Sequence, residues 1–184
     1  MGRVRTLDRP PEGSIITRNM AGGIDYLDAF AIEIENRNDY SIDHLTSLLF
    51  TSLPSWGRAL LKFRDVLVKP LGLRTGLIPE QEKLDPHVKY TPGDRAIFFR
   101  MIDRTDSEIV MAEDDTHLYF RVSLAALPKG GTTQCVRLTT LVQFHNTLGR
   151  FYFAVVKPFH RLLVRRLLAN FARKFLNIGQ SPLS

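Results

Sequence analysis

Apolar and polar residues alternate with a period of two along residues 117–126. Leu118, Phe120, Val122 and Leu124 fall on one side, and His117, Tyr119, Arg121 and Ser123 on the other. This is the pattern of a strand with one face in a core. Residues 134–144 repeat it, with Val136, Leu138, Thr140, Val142 and Phe144 on one face and Cys135, Arg137 and Thr139 on the other. Pro128, Gly130 and Gly131 supply the turn between the two strands. Pairing Val122 with Leu138 brings both apolar rows to the same side of the hairpin. Upstream, Ile109 and Met111 continue that face through a turn at Asp114-Asp115, and Ile97, Phe99 and Met101 extend the meander. An earlier run, residues 24–34, alternates in part and predicts one more strand.

Elsewhere the period changes to that of a helix. Ser41 is a candidate N-cap before Ile42, Leu45 and Leu49. Pro54-Ser55 opens a second short helix whose stripe is Trp56, Leu60, Phe63 and Leu67, ended by Pro70 and Gly72. Residues 73–95, with three prolines and two glycines, predict a long loop. The last helix covers about residues 148–176. Tyr152, Val155, Val156, Phe159, Leu162, Leu163 and Leu167 form its broad apolar face, and Arg150, Lys157, Arg161 and Arg165 a basic stripe. Val164, Leu168, Phe171 and Phe175 form a second apolar strip, and Pro158 predicts a kink.

Every strand has one apolar face in need of a cover. Only the last helix, roughly 43 Å long, can cover a sheet of four or five strands. The predicted fold is therefore α+β: a helix-grip in which a curved antiparallel sheet wraps a long C-terminal helix, with two short helices after the first strand. Residues 23–178 form the single domain. The polar segment 1–22, with Pro10-Pro11 and Gly22-Gly23, reads as a flexible lead-in, and 179–184 as a tail.

Composition narrows the function classes. The 184 residues are 44% hydrophobic and 24% charged, values of a globular chain. A single cysteine excludes a disulfide framework and a multi-cysteine zinc site. No apolar run is long enough to cross a bilayer, and the basic N-terminus lacks the apolar region of a secretory signal, so the expected location is cytoplasmic. The net charge of +6 is unevenly spread. Residues 1–115 carry 15 Lys/Arg against all 19 acids, a net −4, while residues 116–184 carry ten Lys/Arg and no acid. Such asymmetry points to internal complementarity or to a partner for a basic face.

The order of elements resembles the helix-grip fold of the START and birch-pollen-allergen superfamily. The stretch from Trp56 to Arg166 also looks like an uncharacterised bacterial family, domain of unknown function 2867. The residues that carry this are Pro54-Ser55-Trp56 with Arg64-Asp65 and Lys69-Pro70-Leu71-Gly72. Further along they are Asp114-Asp115, His117-Leu118 and Phe120-Arg121-Val122-Ser123, then His145-Asn146, Leu148-Gly149-Arg150 and Lys157-Pro158-Phe159-His160-Arg161. The resemblance implies the helix-grip class, whose members commonly hold apolar ligands between sheet and helix, and implies no activity.

The candidate site follows from the same geometry. Phe99, Leu118, Phe120, Val122, Leu138 and Val142 face Tyr152, Phe159 and Leu163 across the interface, as a filled core or as a cavity for a lipid-like or aromatic molecule. Arg166 falls inside the helix's apolar face, where it is either solvated at an overhanging end or, with His160, meets a ligand's polar or anionic end. An enzyme of this fold would instead draw His145, His160 and Tyr152 together. Asp114-Asp115-Thr116-His117 reads as a turn before it reads as a metal site, and neither a cofactor nor a metal is expected. Arg121 and Arg137 make a basic sheet face without a nucleic-acid signature, so nucleic acid is not expected as a partner. The basic helix suits an anionic membrane surface, and its second apolar strip a homodimer.

Overall fold

The computed structural model describes residues 2–57, 89–96 and 99–180. Among these residues seven antiparallel strands form one sheet: β1 (Arg5–Leu7), β2 (Tyr26–Glu35), β3 (Arg95–Ala96), β4 (Phe99–Arg104), β5 (Glu108–Asp114), β6 (Leu118–Gly130) and β7 (Thr133–Phe144). Helix α1 (Ile42–Phe50) follows β2, and helix α2 (Thr147–Gln180) closes the chain. The sheet order is β1-β2-β7-β6-β5-β4-β3. The meander β3 to β7 thus runs in sequence, and β2 joins it at the β7 edge. This is the α+β helix-grip architecture.

The alternation in β6 and β7 forms the hairpin it predicts, in a different register. Val122 stands opposite Thr140 and Leu124 opposite Leu138, two residues from the expected pairing, with a register shift between Pro128 and Gly130. A two-residue slip keeps every side chain on its own face, which is why the pattern cannot detect it. Ser41 caps α1, its hydroxyl accepting from the backbone N–H of His44. Of the second short helix, only Pro54–Gly57 lies within the described residues; Leu60, Phe63 and Leu67, and most of the expected loop, lie outside them. Ile97 does too.

One face of the sheet packs on α1 and α2. Phe30, Ile32 and Ile34 of β2, Val136 and Leu138 of β7, Val122 and Leu124 of β6, and Met111 and Met101 of β5 and β4 meet Leu45, Leu49, Val164, Leu168, Phe171 and Phe175. Phe171 and Leu168 have no exposed surface at all. This corrects the orientation expected for the last helix. Its buried side is the strip Val164, Leu168, Phe171 and Phe175, while Val155, Phe159 and Leu162 face solvent. The basic stripe flanks β1 and β2: Arg150 pairs with Asp25 at 3.0 Å, Arg165 donates to the Thr6 hydroxyl, and the Arg165 guanidinium lies 5.8 Å from the Phe30 ring centre. Part of the charge asymmetry is thereby satisfied inside the molecule.

The N-terminal segment is not a loose lead-in. Its β1 pairs with β2, and Ile15 and Ile16 are buried with Val110 and Leu141 on the sheet's other face. Arg121, expected on an open basic face, is 5% exposed. Its guanidinium donates to the carbonyls of Ile16, Arg18 and Asn19 and to the Tyr119 hydroxyl. The buried Glu108 carboxylate accepts from the Ser14 hydroxyl, the Ile15 N–H and the Ser123 hydroxyl. Two buried charges are thus fully engaged in fastening a strap of backbone to the sheet.

Candidate functional site

The inward face of β2 changes character along its length. Phe30, Ile32 and Ile34 are core, but the two preceding inward positions are Tyr26 and Asp28. Across from them on β7 stand Val142 and Thr140. Helix α2 passes over this end of β2 and presents Phe153, Lys157 and His160. The Phe153 ring packs on Tyr26 with centroids 4.7 Å apart and on Phe144 at 5.6 Å, and the Lys157 ammonium lies 5.0 Å from the Tyr26 ring centre. Against Asp28, the Tyr26 hydroxyl donates to Oδ2 at 2.6 Å, and His160 Nε2 approaches the same oxygen at 3.4 Å.

Asp28 is 5% exposed. Burial alone would raise its carboxyl; the neighbouring His160 imidazole and the polar groups of Tyr26 and Thr140 outweigh that and hold it below its ordinary value. The group is a carboxylate at neutral pH. Burial, reinforced by the hydrogen bond to Asp28 and its charge, pushes the Tyr26 phenol far above its ordinary value, so it stays a donor. Five buried side-chain polar atoms lack a hydrogen-bond partner among the described residues: His117 Nε2, Arg137 Nε and Thr139 Oγ1, and, within this cluster, Asp28 Oδ1 and His160 Nε2, the last at ion-pair distance from Asp28 without hydrogen-bond alignment. Buried polar atoms are rarely left so, and an acceptor aimed at nothing is what a ligand donor would complete.

The sequence-predicted residues divide. Phe99, Val122, Leu138 and Val142 are buried on the inward sheet face, and Leu118 and Phe120 are half-buried beside them, with Phe99 and Phe120 ring centres 5.3 Å apart. Tyr152, His160 and Leu163 are half-buried on α2. Phe159 (48% exposed) and Arg166 are on the helix's solvent side and do not join the interface, so Arg166 meets no buried head group. Nor do the histidines converge. His145, just before α2, pairs with Asp114 at 2.8 Å on an exposed turn, and His160 is about 20 Å of helix rise further on. Asn146 caps α2, accepting from the Gly149 N–H, and its amide contacts His117 Nδ1 at 2.8 Å. Asp114 and Asp115 belong to this turn network, and no cluster of three metal-ligating side chains occurs among the described residues.

Tyr26 and Asp28 are the residues that sequence reasoning missed. Asp28 supplies the acid that no position near His160 in the chain offers. A signal existed: an acid in register with Phe30, Ile32 and Ile34 is an acid on the core side of its strand.

A family model described as "Protein of unknown function (DUF2867)" matches residues 20–167. No curated protein matches the chain. Among solved structures, a point mutant of norcoclaurine synthase from Thalictrum flavum in complex with a transition-state analogue is similar, with 14% identity and a TM-score of 0.41 over 84% of this chain and 96% of that one. No helix among the described residues is long and apolar enough to cross a membrane.

Proposed function

We propose that this chain, which belongs to the DUF2867 family of proteins of unknown function, binds a hydrophobic small molecule between the inward sheet face and α2, without transforming it. The molecule's apolar body, aromatic or lipid-like, lies against Phe99, Phe120, Val122, Leu138 and Val142. Its polar end meets Tyr26, Asp28 and His160. The observation that carries the reading is the buried Asp28 carboxylate whose Oδ1 has no partner among the described residues, next to the apolar inward face of β6 and β7. Mostly apolar walls with few placed polar groups are what small-molecule sites consist of. The chemistry of the polar end follows from Asp28. A buried anion favours a hydrogen-bond donor, a hydroxyl or an ammonium, and disfavours a carboxylate or phosphate head.

Native mass spectrometry of the purified protein, with a thermal-shift series of aromatic amines, long-chain alcohols and fatty acids, tests this. Donor-headed compounds raise the melting temperature of the wild type and not of Asp28→Asn. Stabilisation by fatty acids alone, or an equal response of the variant, would sink the assignment of Asp28.

One observation favours a second, catalytic reading of the same cluster: a carboxylate beside His160, the arrangement of an oriented general base. It predicts turnover of a bound compound that His160→Asn abolishes while binding persists.

A further inference from the structure

The solvent side of α2 is apolar where a surface helix is ordinarily polar. Leu148, Phe151, Val155, Phe159 and Leu162 are 39%, 71%, 59%, 48% and 53% exposed. At 100° per residue they fall within an arc of about 80°, opposite Phe153, Val164 and Phe171, which face the core. Beside this stripe, with its Phe151 and Phe159, lies a third exposed aromatic. Trp56 is 38% exposed, and the adjoining Gly57 approaches so closely that a Cβ there would sit 2.6 Å from Leu163 Cδ1. The turn bearing Trp56 therefore abuts the helix at the end of the stripe.

The charge around the stripe has one sign. Between Thr147 and Gln180 there are seven Lys/Arg and no Asp or Glu. Arg150, Lys157, Arg161 and Arg165 flank the stripe on the β1–β2 side, and Arg166 and Arg173 continue its line toward the C-terminus, all of them exposed. Asp25 offsets Arg150.

We propose that this face of α2 docks on an anionic lipid bilayer, the helix lying in the plane of the interface with Phe151, Val155, Phe159 and Leu162 among the acyl chains. An apolar stripe bordered by cations matches a surface of acyl chains beneath anionic head groups. Phenylalanine and tryptophan at its edge suit the boundary between water and hydrocarbon. Charge complementarity favours this occupant over a second copy. Two such helices face to face would bring together cationic flanks with no acid on either helix to offset them. The docking is independent of the ligand site, since these side chains point away from Asp28.

The test is co-sedimentation of the full chain with vesicles of phosphatidylcholine alone and with added phosphatidylglycerol, at low and high salt. Trp56, the only tryptophan, serves as a fluorescent reporter. Phosphatidylglycerol is expected to raise partitioning about tenfold or more at low salt, with a blue shift of Trp56 emission, and high salt to reverse most of it. The F151S/F159S double variant changes exposed residues only. It is expected to keep the wild-type circular dichroism spectrum and lose vesicle binding. Absence of sedimentation with phosphatidylglycerol at low salt overturns the proposal, as does equal binding to phosphatidylcholine alone. A dimer in sedimentation equilibrium that F151S/F159S dissolves, without vesicle binding, overturns it in favour of a second copy.

Discussion

Replacing His160 by leucine removes a group that shields a buried carboxylate. Asp28 is 5% exposed and would be left with the hydroxyls of Tyr26, 2.6 Å away, and of neighbouring Thr140. Leaving a buried charge without one of its partners costs about 3–5 kcal/mol. The His160 side chain retains 14% exposure and stands 3.4 Å away without alignment, so the lower end, about 3 kcal/mol, applies here. For a chain of this length that lowers the melting temperature by roughly 6–12 °C. The double variant Asp28→Leu/His160→Leu behaves differently. It removes the charge together with its partner, and well-packed apolar replacements of buried charged groups and their partners are often neutral or stabilising by about 1–4 kcal/mol. The double variant is therefore expected within about 1 kcal/mol of wild type or above it, a coupling of at least ~2 kcal/mol. Urea unfolding of the four proteins of this cycle measures it. A His160→Leu cost below about 1 kcal/mol, or a double variant that sums the two single losses, refutes the reasoning that Asp28 is a desolvated charge.

Three further outcomes are expected. Gly149→Ala drives a Cβ into the His117 carbonyl oxygen, backbone that cannot move aside cheaply, so it is expected to lower stability by about 1–3 kcal/mol in denaturant titration. Arg121→Met leaves three strap carbonyls without their donor; limited proteolysis should then cut before Met20 much faster than in wild type, with the C-terminal product still folded. The pH limits follow from the inner pair. The depressed Asp28 pKa contributes stability that is present above its ordinary 3.8 and lost as pH falls through the lower folded value, so Asp28→Asn flattens the acid limb. The raised Tyr26 pKa contributes stability that is present below its ordinary 10.0 and lost as pH rises toward the folded value, so Tyr26→Phe should remove a tyrosinate absorbance step that coincides with alkaline unfolding.

What the residues disclose in advance depends on whether one neighbour or several decide their environment. The hairpin of β6 and β7 is legible because alternation and turn lie within thirty residues and must agree. The length of α2 is legible too, since few residues break its period. Its buried side is not, because Val155, Phe159 and Leu162 form as good a stripe as Val164, Leu168 and Phe171. Only the sheet decides which is covered, and the apolar docking stripe is the one left over. Arg121 is misread for a similar reason: an arginine on the polar face of a strand looks solvated until a strap of carbonyls arrives from a hundred residues away. The inner site is the hardest case. Asp28 and His160 are separated by 131 intervening residues, and neither is unusual until they meet.

Strand β2 takes its long neighbour, β7, from the opposite end of the chain, with Tyr26 opposite Val142 and Glu35 opposite Thr133. During synthesis it leaves the ribosome about a hundred residues before that neighbour exists. Until then its apolar face has no helix to cover it, and only the three residues of β1 guard one of its edges. An unpaired apolar strand is a template for wrong partners. Such non-local pairing is also slow to form, because the loop must close before the contacts repay it. The acids along this segment, Asp25, Asp28, Glu33 and Glu35, then have a second use. They keep the waiting strand charged and apart from its own copies until β7 pairs with it and the C-terminal helix brings Arg150 to Asp25 and His160 to Asp28.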